Sequence, residues 1–92
     1  MKCVVEMYGL ALEISESGEV EIELEDRAGL EELVGELRHR IPAFEGKVIK
    51  KDENRLVENC MFNIDGRFYF DNEDTELIDG SRIRLLTLAT GG

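Results

Sequence analysis

The chain has 92 residues, 21 of them acidic and 11 basic, which gives a formal net charge of −10 at pH 7. A chain of this length forms one domain and buries only about 60–65% of its unfolded surface, so little is left over for an enclosed substrate cavity. The negative field repels phosphate backbones and anionic lipid, which disfavours binding to nucleic acid or to a membrane surface.

The two cysteines, Cys3 and Cys60, fall in strand-like apolar runs, and their spacing matches neither a disulfide framework nor a metal motif. No signal peptide or membrane span is recognisable, because Glu6 and Glu13 interrupt the apolar residues near the N-terminus. The acidic stretch 71–76 lacks the glycine and the ligand spacing of an EF-hand loop and favours a solvated loop. We therefore expect a cytoplasmic protein with no metal site.

The first predicted elements are two strands with alternating patterns. In Lys2 to Tyr8, one set of alternate residues is apolar (Cys3, Val5 and Met7). In Glu19 to Glu25, apolar residues alternate with four glutamates, which is typical of a strand with one wet face. The connection 9–18 is rich in breakers. Its apolar residues Leu10, Leu12 and Ile14 either fold back on the edge of the core or extend the strands, and the pattern leaves both open.

A change of period then predicts one main helix. Apolar residues recur at helical spacing at Leu30, Leu33, Val34, Leu37 and Ile41. Gly29 is the expected N-cap, with Glu32 three residues on, and Pro42 ends the helix. The only histidine, His39, lies off the apolar stripe, which favours a surface role over a catalytic one.

The rest of the chain predicts a crossover, a hairpin and a last strand. The segment 43–59 has irregular apolar spacing and is interpreted as a crossover loop with one short helical turn. Cys60 to Phe70 is a predicted hairpin, because Asp65-Gly66 supplies the positive φ angles that a type I′ turn requires. Its first strand turns Cys60, Phe62 and Ile64 to one side, and Phe68 and Phe70 lie on the returning strand. The last strand, Arg82 to Leu88, would turn Ile83 and Leu85 inward.

This order of elements predicts an α+β domain with a mixed sheet of four to five strands and one main helix packed across it. The last strand is the least polar, so we expect it at the centre of the sheet beside the first strand. The acidic second strand is expected nearer an edge.

Three segments and the chain end resemble a known family. They are the helix 30–37 followed by Ile41-Pro42, the hairpin 62–67, and the segment 74–86 leading to Gly91-Gly92. Together they resemble the ubiquitin-like β-grasp sulfur carriers of the MoaD/ThiS superfamily, above all the small subunit of molybdopterin synthase. The segment 87–90 lacks the prolines common in the molybdopterin branch, and the crossover 43–59 is longer than that of the thiamine branch. The resemblance implies a β-grasp domain over residues 1–88 and a flexible tail over residues 89–92.

The resemblance also implies where the chemistry takes place. An E1-like adenylyltransferase of the MoeB/ThiF type would use ATP and magnesium to adenylate the Gly92 carboxylate, and a sulfur donor would convert it to a thiocarboxylate. The tail, which spans about 13–14 Å when extended, would then enter the large subunit of molybdopterin synthase (MoaE type) and deliver the sulfur. The carrier itself would be no enzyme and would bind no cofactor, because the partners hold the catalytic groups.

The residues expected to act fall into two sets. The reacting end is Gly92 with Gly91 before it, and its slender side chains would let it thread into a partner's active site. The candidate partner-binding residues are Tyr8, Met61, Arg84, Leu86, Leu88, Ala89 and Thr90, with Tyr69 and Arg82 as further candidates. Two other functions stay open: a protein modifier joined through Gly92 to lysines, and a ubiquitin-like binding module whose tail is never activated.

Overall fold

A computed structural model of the protein describes residues 1–69 and 75–88. The described part contains five strands, two α-helices and one 3-10 turn, in the order β1 (Lys2–Met7), α1 (Leu10–Ser15), β2 (Glu19–Glu23), α2 (Leu30–Arg40), a 3-10 turn (Pro42–Phe44), β3 (Cys60–Ile64), β4 (Arg67–Tyr69) and β5 (Arg82–Thr87). The predictions for Phe70, for most of the acidic stretch 71–76 and for the tail residues Ala89, Thr90, Gly91 and Gly92 fall outside the described residues.

The five strands form one mixed sheet in the order β2-β1-β5-β3-β4. The β1–β5 pair is parallel, and the other neighbouring pairs are antiparallel. The predicted positions are confirmed: β5 is central beside β1, and the glutamate-rich β2 forms an edge. An edge strand with glutamates on its wet face resists pairing with other chains.

Helix α2 packs across one face of this sheet. Its residues Leu30, Leu33, Val34 and Leu37 are buried, and they join the inward residues of β1, β3 and β5 in a single core. The helix begins as predicted, because Gly29 is the N-cap and its N–H donates to Glu32 Oε2 at 2.9 Å. Pro42 follows the C-cap Ile41 and opens the 3-10 turn, as the sequence indicated.

The crossover 45–59 is packed rather than loose. Its residues Val48, Ile49 and Leu56 are buried in the core. Arg38 of α2 holds the loop by donating to the Lys50 carbonyl at 3.0 Å and to Asn54 Oδ1.

The hairpin turn is as expected, with φ of 51° at Asp65 and 84° at Gly66. The returning strand turns Tyr69, a further candidate for partner binding, toward the core. Because Phe68 pairs with Asn63 and Tyr69 with Phe62, Tyr69 packs against the core and Phe68 is 60% exposed.

The connection between β1 and β2 follows the first of the two possibilities for Leu10 and Ile14, which pack against the core. It forms the short helix α1, in which Ala11 is buried while Leu12 is 42% exposed. The strand ends also shift slightly, since β2 ends at Glu23 and β5 at Thr87.

Candidate functional site

The main candidate docking residues lie together where β1 and β5 end. Leu86 is half-buried on β5, while Tyr8 and Leu88 are 42% and 45% exposed. The Tyr8 N–H donates to the Leu85 carbonyl at 3.1 Å, which sets Tyr8 beside β5. We define the docking face as Tyr8, Arg82, Arg84, Leu86 and Leu88. Such an apolar patch with charges at its rim is typical of a protein-binding surface.

Two other residues need reassignment within this region. Met61 is the cross-strand partner of Leu86, but it is only 8% exposed, so it lies beside Leu86 and offers little contact area. Tyr69, a further candidate, lies on the core side of the sheet. The sequence analysis did not identify Phe68 as a surface residue on the same side of the sheet as Arg84. Phe68 pairs with Asn63, and Asn63 pairs with Arg84 on the next strand. The two-residue turn implies this register, so counting outward from Asp65-Gly66 would have found Phe68.

A charged network lies next to the apolar residues. Glu6 accepts hydrogen bonds from the Tyr8 hydroxyl and from Arg82 Nε, both at 2.9 Å, and Arg84 Nε lies 3.5 Å from it. Hydrogen bonding from Tyr8, and then from Arg82, lowers the pKa of Glu6. The same hydrogen bonds raise the pKa of Tyr8 and of Arg82.

This network leaves Arg84 available to a partner. Arg82 has a second carboxylate, Glu19, at 3.1 Å, whereas Arg84 pairs only with Glu6 among the described residues. A guanidinium has five N–H donors in a fork that fits a carboxylate. In a chain of net charge −10, Arg84 is therefore a suitable contact for an acidic side chain of a partner.

The chain leaves the sheet at a firmly held point, which we call the tail root (Thr87 and Leu88). Thr87 pairs with Cys60 at the end of the central strand β5. The Leu88 N–H donates to the Asn59 carbonyl at 2.7 Å. The four residues to Gly92 follow directly in the sequence, so their point of attachment, Leu88, is itself a residue of the docking face.

The cysteines are poorly suited to act as nucleophiles. Cys3 and Cys60 are free and buried, and burial is the main cause that raises the pKa of each thiol. A thiol that stays protonated is a weak nucleophile and a weak metal ligand. Within residues 1–69 and 75–88 no group of three His, Cys, Asp or Glu side chains could hold a metal ion, and His39 is exposed. No helix in the same residues is long and apolar enough to cross a membrane.

An acidic groove of about 690 Å³ opens near Met1, at the start of β1. This is the opposite end of the sheet from the tail root, since β1 and β5 run parallel. Two of its carboxylates already accept backbone hydrogen bonds, Glu32 from Gly29 and Asp79 from Lys2. The groove is therefore separate from the docking face.

The mixed sheet with one helix across it defines a ubiquitin-like β-grasp protein. The model of the ThiS family matches residues 5–92, and the chain belongs to this family. No curated protein matches the chain in sequence.

Solved structures agree on the fold. Small archaeal modifier protein 1 from Haloferax volcanii superposes with a TM-score of 0.84 at 18% identity, over 100% of both chains. A protein described as molybdopterin converting factor subunit 1 from Pyrococcus furiosus gives a TM-score of 0.74 at 23% identity, over 96% of this chain and 98% of that one. The BexX/CysO complex of Amycolatopsis orientalis contains a chain with a TM-score of 0.67 at 16% identity, over 98% of this chain and 99% of that one. The first of these proteins is named a modifier, and the second is named a subunit of a converting factor.

Proposed function

We propose that this chain is a sulfur carrier for molybdopterin synthesis, and that the C-terminal carboxylate of Gly92 is its reacting group. The observation that carries the proposal is the position of the tail root. β5 ends beside an exposed apolar face, five residues before Gly92, and the family match extends through Gly92. The unpaired cysteines support a reducing compartment such as the cytoplasm.

The chemistry needs no catalytic side chain on the carrier. A Gly92 carboxylate oxygen attacks the α-phosphorus of ATP on an E1-like adenylyltransferase, and pyrophosphate leaves. A persulfide sulfur of the donor then attacks the carbonyl and displaces AMP, and a thiol cleaves the resulting acyl disulfide to leave the thiocarboxylate. The carrier contributes the position of the reacting atom, and correct positioning can supply a large part of a rate enhancement.

In this scheme two partners use the docking face in turn. The adenylyltransferase binds first, and the large subunit of molybdopterin synthase binds the charged carrier afterwards. The docking face combines partly neutralised arginines with exposed apolar side chains. It is therefore complementary to a partner surface that has an acidic residue next to apolar side chains.

A second function is protein modification, in which the Gly92 adenylate is passed to lysine amines of other proteins. It is favoured by the similarity to small archaeal modifier protein 1, which extends over the full length of both chains. Sulfur transfer and modification share the activation step, so the two functions can coexist in one chain.

Intact-mass analysis of the protein isolated from its native host separates the possibilities. A sulfur carrier shows a fraction about 16 Da heavier, as expected when sulfur replaces one carboxylate oxygen. A modifier appears in conjugates whose masses exceed that of the carrier by whole proteins. An unmodified terminus under conditions of active cofactor synthesis would contradict both functions and favour a binding module that is never activated.

A further inference from the structure

The side chain of Thr87 connects three elements at the end of β5. Its Oγ1 accepts a hydrogen bond from the Leu10 N–H at 3.2 Å, at the start of α1. It also lies 3.9 Å from Cys60 Sγ on β3. Thr87 is half-buried and is the last residue of the strand. Thr87, the last strand residue before the tail, therefore connects α1 to the sheet.

The Thr87 hydroxyl replaces a backbone carbonyl as hydrogen-bond acceptor at the end of the β1–β5 pairing. Along the parallel β1–β5 pair, the Tyr8 N–H donates to the Leu85 carbonyl at 3.1 Å. The next N–H on that side belongs to Leu10, and it reaches the Thr87 hydroxyl. Leu10 is the first residue of α1, and the N-cap Gly9 has no side chain to cap the helix. Thr87 therefore caps α1 from the neighbouring strand.

The close approach depends on Gly9. Its φ is 60°, and a Cβ added there would lie 3.0 Å from Thr87 Cβ and 3.2 Å from its Oγ1. Any other residue would both strain the backbone and push α1 away from β5. On the other side, the hydrogen bond from the Leu88 N–H to the Asn59 carbonyl holds Leu88 beside the residue that precedes β3.

We propose that Thr87 is a positioning residue, which fixes the point and direction from which residues 89–92 leave the domain by tying the end of β5 to α1. This inference rests on the proposed function, because it matters only if Gly92 reacts in a partner's site. The reacting carbonyl lies five residues beyond Thr87. Conformational freedom at the tail root would therefore displace the Gly92 carbonyl in the partner's site. Misplacement of a reacting group by about 1 Å can lower a rate by about 100-fold.

Three variants separate the hydroxyl from the bulk of the side chain. Thr87→Val keeps the shape and loses the hydroxyl, whereas Thr87→Ser keeps the hydroxyl. Thr75→Val makes the same chemical change beside Gly29, near the start of α2, away from the tail root. Thermal midpoints and circular dichroism establish that each variant is folded. If Thr87→Val fails to fold, Thr87→Ala is compared with Thr87→Ser instead, because both lack the methyl group and differ only by the hydroxyl.

The test is steady-state adenylation of each full-length variant by the adenylyltransferase of the native host. The rate of pyrophosphate release is measured at varied carrier concentration. For Thr87→Val we expect kcat to fall by about 10- to 100-fold, while KM for the carrier changes little because the docking face is intact. Thr87→Ser and Thr75→Val should match the wild type. Hydrogen exchange should show that the Leu10 amide loses protection in Thr87→Val and keeps it in Thr87→Ser.

A Thr87→Val variant with wild-type kcat, or with only a raised KM, would overturn the positioning role while leaving the proposed function standing. A wild-type chain that is not adenylated at all would overturn the proposed function, and the positioning role with it.

Discussion

At the residue scale, the best-defined electrostatic feature is the set of contacts around Glu6. A carboxylate on the wet face of a sheet would ordinarily be solvated, but here Tyr8, Arg82 and Arg84 all approach it. The hydrogen bond from Tyr8, and then that from Arg82, lowers the pKa of Glu6 by stabilising its ionised form. The network therefore holds two arginines in place on the docking face.

The lowered pKa of Glu6 predicts a dependence of stability on pH. A group whose pKa is lower in the folded state stabilises the fold above its unfolded pKa, and this stabilisation is lost as the pH falls through the folded value. Glu6→Gln should therefore lower the urea midpoint at neutral pH, and the difference from the wild type should disappear in acid. Urea midpoints across the pH range measure this, with the exposed Glu21→Gln as the matched control. A difference for Glu6→Gln that stays constant down to acid pH would contradict the assignment.

At the element scale, the sequence was sufficient for α2, for the hairpin turn and for the central position of β5. Each has a strong local signal: a helical apolar stripe from Leu30, an Asp-Gly pair at residue 65, and a strand of low polarity. Helix α1 has no such signal. Its six residues are too few to show a period, and its first N–H is capped by Thr87, a residue 77 positions away in the sequence. Contacts of this range cannot be read from a local pattern.

The facing of the hairpin strands shows a second limit. Tyr69 and Phe68 are both aromatic, so composition alone does not tell which one belongs to the core. The pairing of Asn63 with Phe68 decides it, and that register follows from the turn. Tyr8 and Leu88 are exposed near the end of β5, whereas the burial of Met61 depends on packing that the sequence does not reveal.

Truncation of the core tests the packing of α2 on the sheet. Leu33 and Ile83 are both fully buried, so Leu33→Ala or Ile83→Ala should lower the free energy of unfolding by about 2–5 kcal/mol. That is a large fraction of the total stability of a small domain. The matched control is Leu12→Ala on α1, which is 42% exposed and should have a much smaller effect. Equal losses at Leu33 and Leu12, measured by chemical denaturation, would show that the packing is described wrongly.

At the scale of the whole molecule, the core and the docking face are separate parts of one small domain. The core residues lie between α2 and the sheet, and the exposed docking residues lie on the other face. Partner binding and folding should therefore respond to different substitutions. This division explains how a chain of net charge −10 can still offer arginine donors and apolar contacts to a partner.

Substitutions on the docking face should weaken partner binding without unfolding the chain. Arg84→Glu and Leu86→Ala should each raise the Kd for the adenylyltransferase by roughly 10-fold, the effect typical of residues central to an interface. Lys47→Glu makes the same charge change as Arg84→Glu but lies in the crossover, and it should leave the Kd nearly unchanged. Titration calorimetry measures all three. Equal weakening by Lys47→Glu and Arg84→Glu would mean that only net charge matters.

The central claim is that the terminal Gly92 carries the reaction while the folded domain only presents it. The most direct measurement compares the wild type with a chain lacking Gly92, by thermal midpoint and by restoration of cofactor synthesis in a strain without its own carrier. We expect nearly equal midpoints and no restoration by the shortened chain. Restoration of cofactor synthesis by the chain without Gly92 would contradict the account.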